Sequence, residues 1–182
     1  MGHGNKGWMN QMNDLGYSVG EYLSVRLVGK DRPAGWRRGF FRFPIALYKW
    51  GLGGSLGSRI LLIRTTGRKT GKPRVTSIGY LHDEATDTFY LMAGWGGRTD
   101  WYRNLQADPR TQIRVGTREF EGVAEFPPPE EAGAILRRYI ENRPFMVRTL
   151  ERDTGLPYDG SDECLHRMAT RIGTAAVHPQ RP

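Results

Sequence analysis

The chain has 182 residues, enough for one domain with a sizeable core, and a formal net charge of +8, so its surface field favours anions: nucleic acid, acidic lipid or a small polyanionic ligand. The lone Cys164 excludes an intramolecular disulfide and a cysteine-rich zinc site and fits a reducing compartment, and His3, His82, His166 and His178 show no metal-ligand spacing, so no metal is expected. The lysines and arginines form no tail and no continuous run, which ranks a small anion above nucleic acid.

The N-terminal stretch from Trp8 to Tyr22 is interrupted by Gly, Asn and Asp and lacks the apolar run of a signal peptide, so a cytoplasmic location is expected. The segments Asn10 to Leu27 and Phe41 to Trp50 have the length of short helices with weak periodicity. Between them, Gly29 to Gly39 reads as a charged loop around Pro33. The stretch Phe43 to Leu56 is broken by Pro44, Lys49 and three glycines, short of the roughly twenty apolar residues that a membrane span needs. Residues 1–50 are expected to form an extension that packs on the main domain or on a membrane surface. Residues 36–50 mix aromatics with cations, a composition that suits either the mouth of a barrel or peripheral contact with the inner face of a bilayer.

From Arg59 the pattern changes. Ile60-Leu61-Leu62-Ile63 is a continuous apolar run, as in a strand buried on both faces. Val75 to His82 and Thr88 to Ala93 flank Asp83-Glu84-Ala85-Thr86-Asp87, which predicts a hairpin. Asp100 opens a short helix to Ala107, ended by Asp108-Pro109, because proline disfavours helix at the residue before it. Gln112 to Val115 and Arg118 to Phe126 flank Gly116-Thr117 as a second hairpin. Past Pro127-Pro128-Pro129 a helix begins with Glu130 and Glu131 at its positive end, buries Ala132, Ile135, Leu136 and Tyr139, and stops at Pro144. Phe145 to Arg152 has room for another turn or two, and residues from Ala175 onward read as frayed. Five antiparallel strands with an inserted helix point to a mainly β fold with flanking helices, a closed or nearly closed barrel spanning residues 51–174, with 175–182 as a flexible tail.

The densest chemistry lies in Thr65-Thr66-Gly67-Arg68-Lys69-Thr70-Gly71-Lys72-Pro73-Arg74, where four cations, three hydroxyls and two glycines share ten positions. Glycine lets a backbone approach an anion, amides and hydroxyls donate to phosphate oxygens, and Arg and Lys neutralise the charge. The same residues also make an ordinary basic turn facing water, and their physics leaves both readings open. The order of residues does not match a P-loop, and no Gly-x-Gly-x-x-Gly follows a strand.

Gly51-Leu52-Gly53-Gly54, the run from Thr65 to Val75, and Gly96-Gly97 followed by Asp100-Trp101-Tyr102-Arg103-Asn104-Leu105-Gln106-Ala107-Asp108-Pro109 resemble the deazaflavin-dependent nitroreductase family. The resemblance covers roughly Gly51 to Phe126 and continues more weakly to Leu150. It implies a split β-barrel of the flavin-reductase type that binds coenzyme F-420, a deazaflavin bearing a phosphate and an anionic tail, in preference to FMN or haem. By position it implies that Arg68, Lys69 and Thr70 hold phosphate and tail, that Arg74, Val75, Thr76 and Ser77 line the ring and linker, that Met92, Ala93, Gly94 and Trp95 lie beside the ring, and that Trp101, Tyr102 and Asn104 form the wall after it. Taken for their packing alone, Trp101, Tyr102 and Met92 also fit a core, and Thr76 and Ser77 an ordinary strand. Trp95 stands where several members carry a tail-binding lysine, which leaves Arg98 as the substitute, and Met146 stands where the nitroreductases carry a substrate-side tyrosine. Trp95, Tyr139, Arg143 and Met146 are the substrate-pocket candidates. The resemblance further implies hydride transfer to a small acceptor such as an enone, quinone or nitro compound, with no nucleophile or general base assigned. The alternative is a barrel that carries a lipid or cofactor at a membrane surface.

Overall fold

A computed structural model of the chain describes residues 60–94 and 97–180. Six antiparallel strands close a barrel: β1 (Ile60–Thr66), β2 (Pro73–Asp83), β3 (Thr88–Ala93), β4 (Arg110–Val115), β5 (Arg118–Glu125) and β6 (Gly173–Pro179). They run around it in the order β1-β2-β3-β6-β5-β4, and β1 pairs with β4 to complete the ring. Among the described residues four α-helices flank them: α1 (Asp100–Ala107), α2 (Pro129–Asn142), α3 (Val147–Thr154) and α4 (Asp162–Arg171).

Alternation along the strands decides which side chains fill the barrel. Leu61 and Ile63 of β1, Phe89 and Leu91 of β3, Ile113 of β4 and Val177 of β6 point inward and are sealed from solvent. Helix α1 adds Trp101 and Leu105 to the same cluster. Each such side chain contributes roughly 1.5–3 kcal/mol on burial, an upper estimate because unfolded chains are already partly collapsed. A second cluster joins Leu136 and Ile140 of α2 to Leu165, Met168 and Ile172 at α4. A third seats Ile135 and Tyr139 of α2 on Leu81 of β2.

The helix boundaries follow from their termini. Pro129 occupies the first turn of α2 with Glu130 and Glu131, where an absent N–H costs nothing and acids meet the positive end of the dipole. Helix α3 ends at Gly155, whose φ of 68° is the left-handed conformation that glycine adopts without strain. Ser161 caps α4 by accepting from the Cys164 amide at 3.1 Å.

Two expectations are corrected. The barrel has six strands, not five, and the segment expected as a flexible tail from 175 is strand β6 as far as Pro179. Ala175, Ala176 and Val177 are buried there because β6 fills the gap between β3 and β5 and so loses its solvent. Helix α4 was not expected either. The extension predicted over residues 1–50, its two short helices and the aromatic-basic stretch 36–50 lie outside the described residues. Among the described residues no helix is long and apolar enough to cross a membrane, and no group of His, Cys, Asp and Glu could hold a metal ion.

Candidate cofactor site

The basic segment is the turn of the β1–β2 hairpin, and its inner side is fully engaged. Gly67 N donates to Lys72 O at 2.9 Å, and Thr70 N and Gly71 N both donate to Gly67 O, at 3.0 and 2.7 Å. Gly71 has a φ of +64°, and a Cβ on Gly67 would lie 3.0 Å from both Lys72 O and Thr70 Oγ1, so both positions call for glycine. The amides of these glycines therefore close the turn and are not spare donors for a phosphate.

Asn104 of α1 clamps the same turn from below. It is 3% exposed. Its Nδ2 donates to Thr65 Oγ1 at 3.2 Å, and its Oδ1 accepts from Arg68 N at 3.2 Å and from Arg68 Nη1 at 2.9 Å. Arg68 also pairs with Asp100 through Nη2 at 3.0 Å. Of the four cations, Arg68 is thus a brace between hairpin and helix. Lys69, Lys72 and Arg74 are exposed and make no ion pair among the described residues. All three lie exposed in the turn or just beyond it, and cations so placed attract a polyanion.

The register divides the remaining β2 candidates between two faces. Arg74 and Thr76 sit opposite Thr65 and Ile63 on the barrel-interior face, whereas Val75 and Ser77 sit opposite Arg64 and Leu62 on the outer face. Val75 is 46% exposed, one of two large apolar side chains so placed among the described residues. Further along the outer face, Leu81, Tyr90 and Met92 meet Tyr139 and Met146 in one cluster. Arg143 joins them. It is 7% exposed, donates from Nη2 to Tyr80 O at 2.8 Å, lies with its guanidinium 4.9 Å from the centre of the Tyr139 ring, and leaves Nη1 buried without a partner. The structure therefore brings together Met92, Tyr139, Arg143 and Met146, which the sequence assigned to two different groups.

Other candidates separate. Ala93 and Trp101 have their side chains in the barrel core. Gly94 follows β3, and a Cβ there would stand 3.0 Å from Asp153 Oδ2. The Asp153 carboxylate is held by Arg152, whose Nε and Nη2 both reach Oδ1 at 3.0 Å. Tyr102 lies on the other side of α1 from Asn104, edge-on to Phe126 at 5.4 Å, and burial pushes its phenol pKa up. Trp95 lies outside the described residues. Sequence reasoning missed Asp100 and Asp153. The only signal for Asp100 was its acidic side chain at the start of a helix facing a basic turn.

Comparison with known proteins matches residues 48–158 to the family described as F420H(2)-dependent quinone reductase. An F420H(2)-dependent quinone reductase of Mycobacterium tuberculosis (strain ATCC 25618 / H37Rv) is 41% identical over 91 residues, covering 45% of this chain and 58% of that relative. Among solved structures, the protein Atu2129 of Agrobacterium tumefaciens str. C58, of unknown function, superposes with a TM-score of 0.51 at 20% identity over 68% of this chain and 49% of its own. A domain-swapped dimer superposes with a TM-score of 0.51 at 19% identity, covering 79% of this chain and 97% of that one. These two share the fold. The sequence match runs over the hairpin, over α1 and over the cluster of Tyr139, Arg143 and Met146, and on it the chain belongs to the F420H(2)-dependent quinone reductase family.

Proposed function

We propose that the protein reduces a small organic acceptor, a quinone first and an enone or nitro compound next, with coenzyme F-420 as hydride source. The observation that carries this reading is the trio Lys69, Lys72 and Arg74, unpaired among the described residues and adjoining the exposed apolar Val75. A cationic mouth beside an apolar strip fits a ligand with an anionic tail and a flat ring, and an FMN phosphate alone would leave part of the mouth unused.

When bound, the reduced deazaflavin would supply a hydride, and the protein supplies position and electrostatics. Lys69, Lys72 and Arg74 would meet the phosphate and tail, and Val75, Ser77 and Met92 would lie along the ring on the outer face of β2 and β3. Tyr139 and Met146 would wall the acceptor. Arg143, fixed by the Tyr80 carbonyl, would set its positive charge behind Tyr139, where it would favour the negative charge that develops on the acceptor. Close approach of two bound partners would provide most of the rate advantage.

The test is a double variant, Lys69→Ala with Arg74→Ala. Charge-assisted hydrogen bonds are worth about 1.5–3 kcal/mol each, so coenzyme affinity should fall at least about tenfold in a fluorescence titration even after discounting non-additivity. The thermal melt should stay unchanged, because both side chains are exposed. Unchanged affinity with an unchanged melt would reduce the hairpin to a solvated turn and remove the main support for this function. A parent protein that binds FMN as tightly as the deazaflavin would refute the choice of cofactor.

A further inference from the structure

On the opposite side of α1 from Asn104 lies a cavity of about 400 Å³ that the proposed function does not use. Its origin is local. Strand β5 runs beside β6 only as far as Glu125, and Pro127-Pro128-Pro129, with no N–H to continue a ladder, peel away toward α2. The gap left beside the start of β6 is bounded by α1 on one side and the end of α4 on the other.

Three arginines, Arg98, Arg103 and Arg171, line this gap, and no acidic residue lines it among the described residues. Arg171 is positioned by its own bond, from Nη1 to Thr154 O at 2.6 Å. Thr174 also lines the cavity, with its Oγ1 sealed below the surface and without a hydrogen-bond partner. The apolar wall is Ile172 with Pro127 and Pro129. Tyr102 lies so close over Gly173 that a Cβ there would stand 2.6 Å from its ring. Glycine at 173 is what allows that ring to form part of the wall.

We propose that this cavity is a second binding site, separate from the hairpin, for a small organic anion that carries one anionic head and one apolar ring. The head meets the arginines. The ring rests between Tyr102, Ile172 and the prolines. None of Lys69, Lys72 and Arg74 lines the cavity, so the hairpin cations are not shared with it; Arg98 and Tyr102, which the resemblance assigned to the coenzyme, lie here instead.

The probe is 2-naphthyl phosphate, with 2-naphthol as its uncharged control, followed by intrinsic fluorescence and thermal melting. The phosphate should bind saturably and raise the melting temperature, and the naphthol should do neither. Arg103→Glu, an exposed change, should weaken the phosphate about tenfold or more. The Lys69→Ala, Arg74→Ala variant should bind the probe as the parent does. Equal binding of naphthol, probe affinity indifferent to Arg103→Glu, or loss of binding in the hairpin variant would each overturn the proposal, and only the last would place the probe at the cofactor site.

Discussion

Two charged turns of the same barrel behave in opposite ways. The turn between β2 and β3 carries Asp83, Glu84 and Asp87, and its two aspartates are answered. Asp87 receives Arg118 through two bonds of 2.8 and 2.6 Å and His82 Nε2 at 2.9 Å, and Asp83 receives Arg138 of α2 at 2.8 Å. Arg118 in turn lies 4.7 Å from the centre of the Phe120 ring, so the cluster ties the β2–β3 turn to the β4–β5 hairpin. The β1–β2 turn carries more charge, with Arg68, Lys69, Lys72 and Arg74, yet outside Arg68 its cations make no ion pair among the described residues. A turn whose charges are cancelled across strands holds structure together, and a turn whose charges are left over is available to a ligand.

Variants can break this contrast, beginning where the effect should be largest. Asn104→Ala removes three bonds at once and strands the Thr65 hydroxyl and the Arg68 amide, so a loss of about 2–3 kcal/mol of stability is expected in chemical denaturation. Because it also loosens the hairpin, it should weaken the coenzyme, which separates it from the double lysine-arginine variant that leaves stability alone. Asp87→Asn keeps a residue that tolerates the φ of 51° found there and removes the charge. With the Asp87 side chain 41% exposed, solvent screening holds its cost to about 1 kcal/mol, and coenzyme affinity should not change.

Two milder manipulations sharpen the comparison further. Raising salt from about 50 to about 500 mM should weaken coenzyme binding severalfold in a titration, since exposed Lys69, Lys72 and Arg74 are screened, and a salt-independent constant would show the ring to dominate. Acid should act on the other turn. The hydrogen bonds from Arg118, assisted by His82, hold the Asp87 carboxyl well below the usual carboxylate range. A depressed folded pKa gives stability that is fully present above the unfolded value of about 3.9 and is lost as pH falls below it. The melting difference between the parent and Asp87→Asn should therefore shrink as pH drops below about 4. A difference that grew in acid would contradict the assignment.

The five strands from Ile60 to Glu125 were legible because apolar runs and turn residues mark them locally, and the inserted helix because Asp108-Pro109 stops it. Strand β6 was not. Gly173-Thr174-Ala175-Ala176-Val177 has small residues on both faces, and their burial comes from β3 and β5, which lie far away in sequence. Helix α4 mixes Cys164, Leu165 and Met168 with charges, and its one local mark was Ser161 as a cap. In the candidate site, composition pointed to Thr65–Arg74 but could not divide Arg68, drawn inward by Asp100 and Asn104, from Lys69 and Arg74. Nor could it reveal that Arg143 is buried, since that depends on the Tyr80 carbonyl and the Tyr139 ring arriving from elements distant in sequence.

The placement of β6 also has a consequence for biosynthesis. This strand lies between β3 and β5, and its pairing with β3 joins Phe89 to Val177. A chain emerging from the ribosome can form both hairpins early, but the edges of β3 and β5 stay open until residues 173–179 have left the exit tunnel, and contacts of such long range form slowly. Open edges invite pairing with another chain. A version stopped before Gly173 should accumulate as aggregate instead of as a smaller barrel, and nascent chains would depend on chaperone protection until β6 emerges.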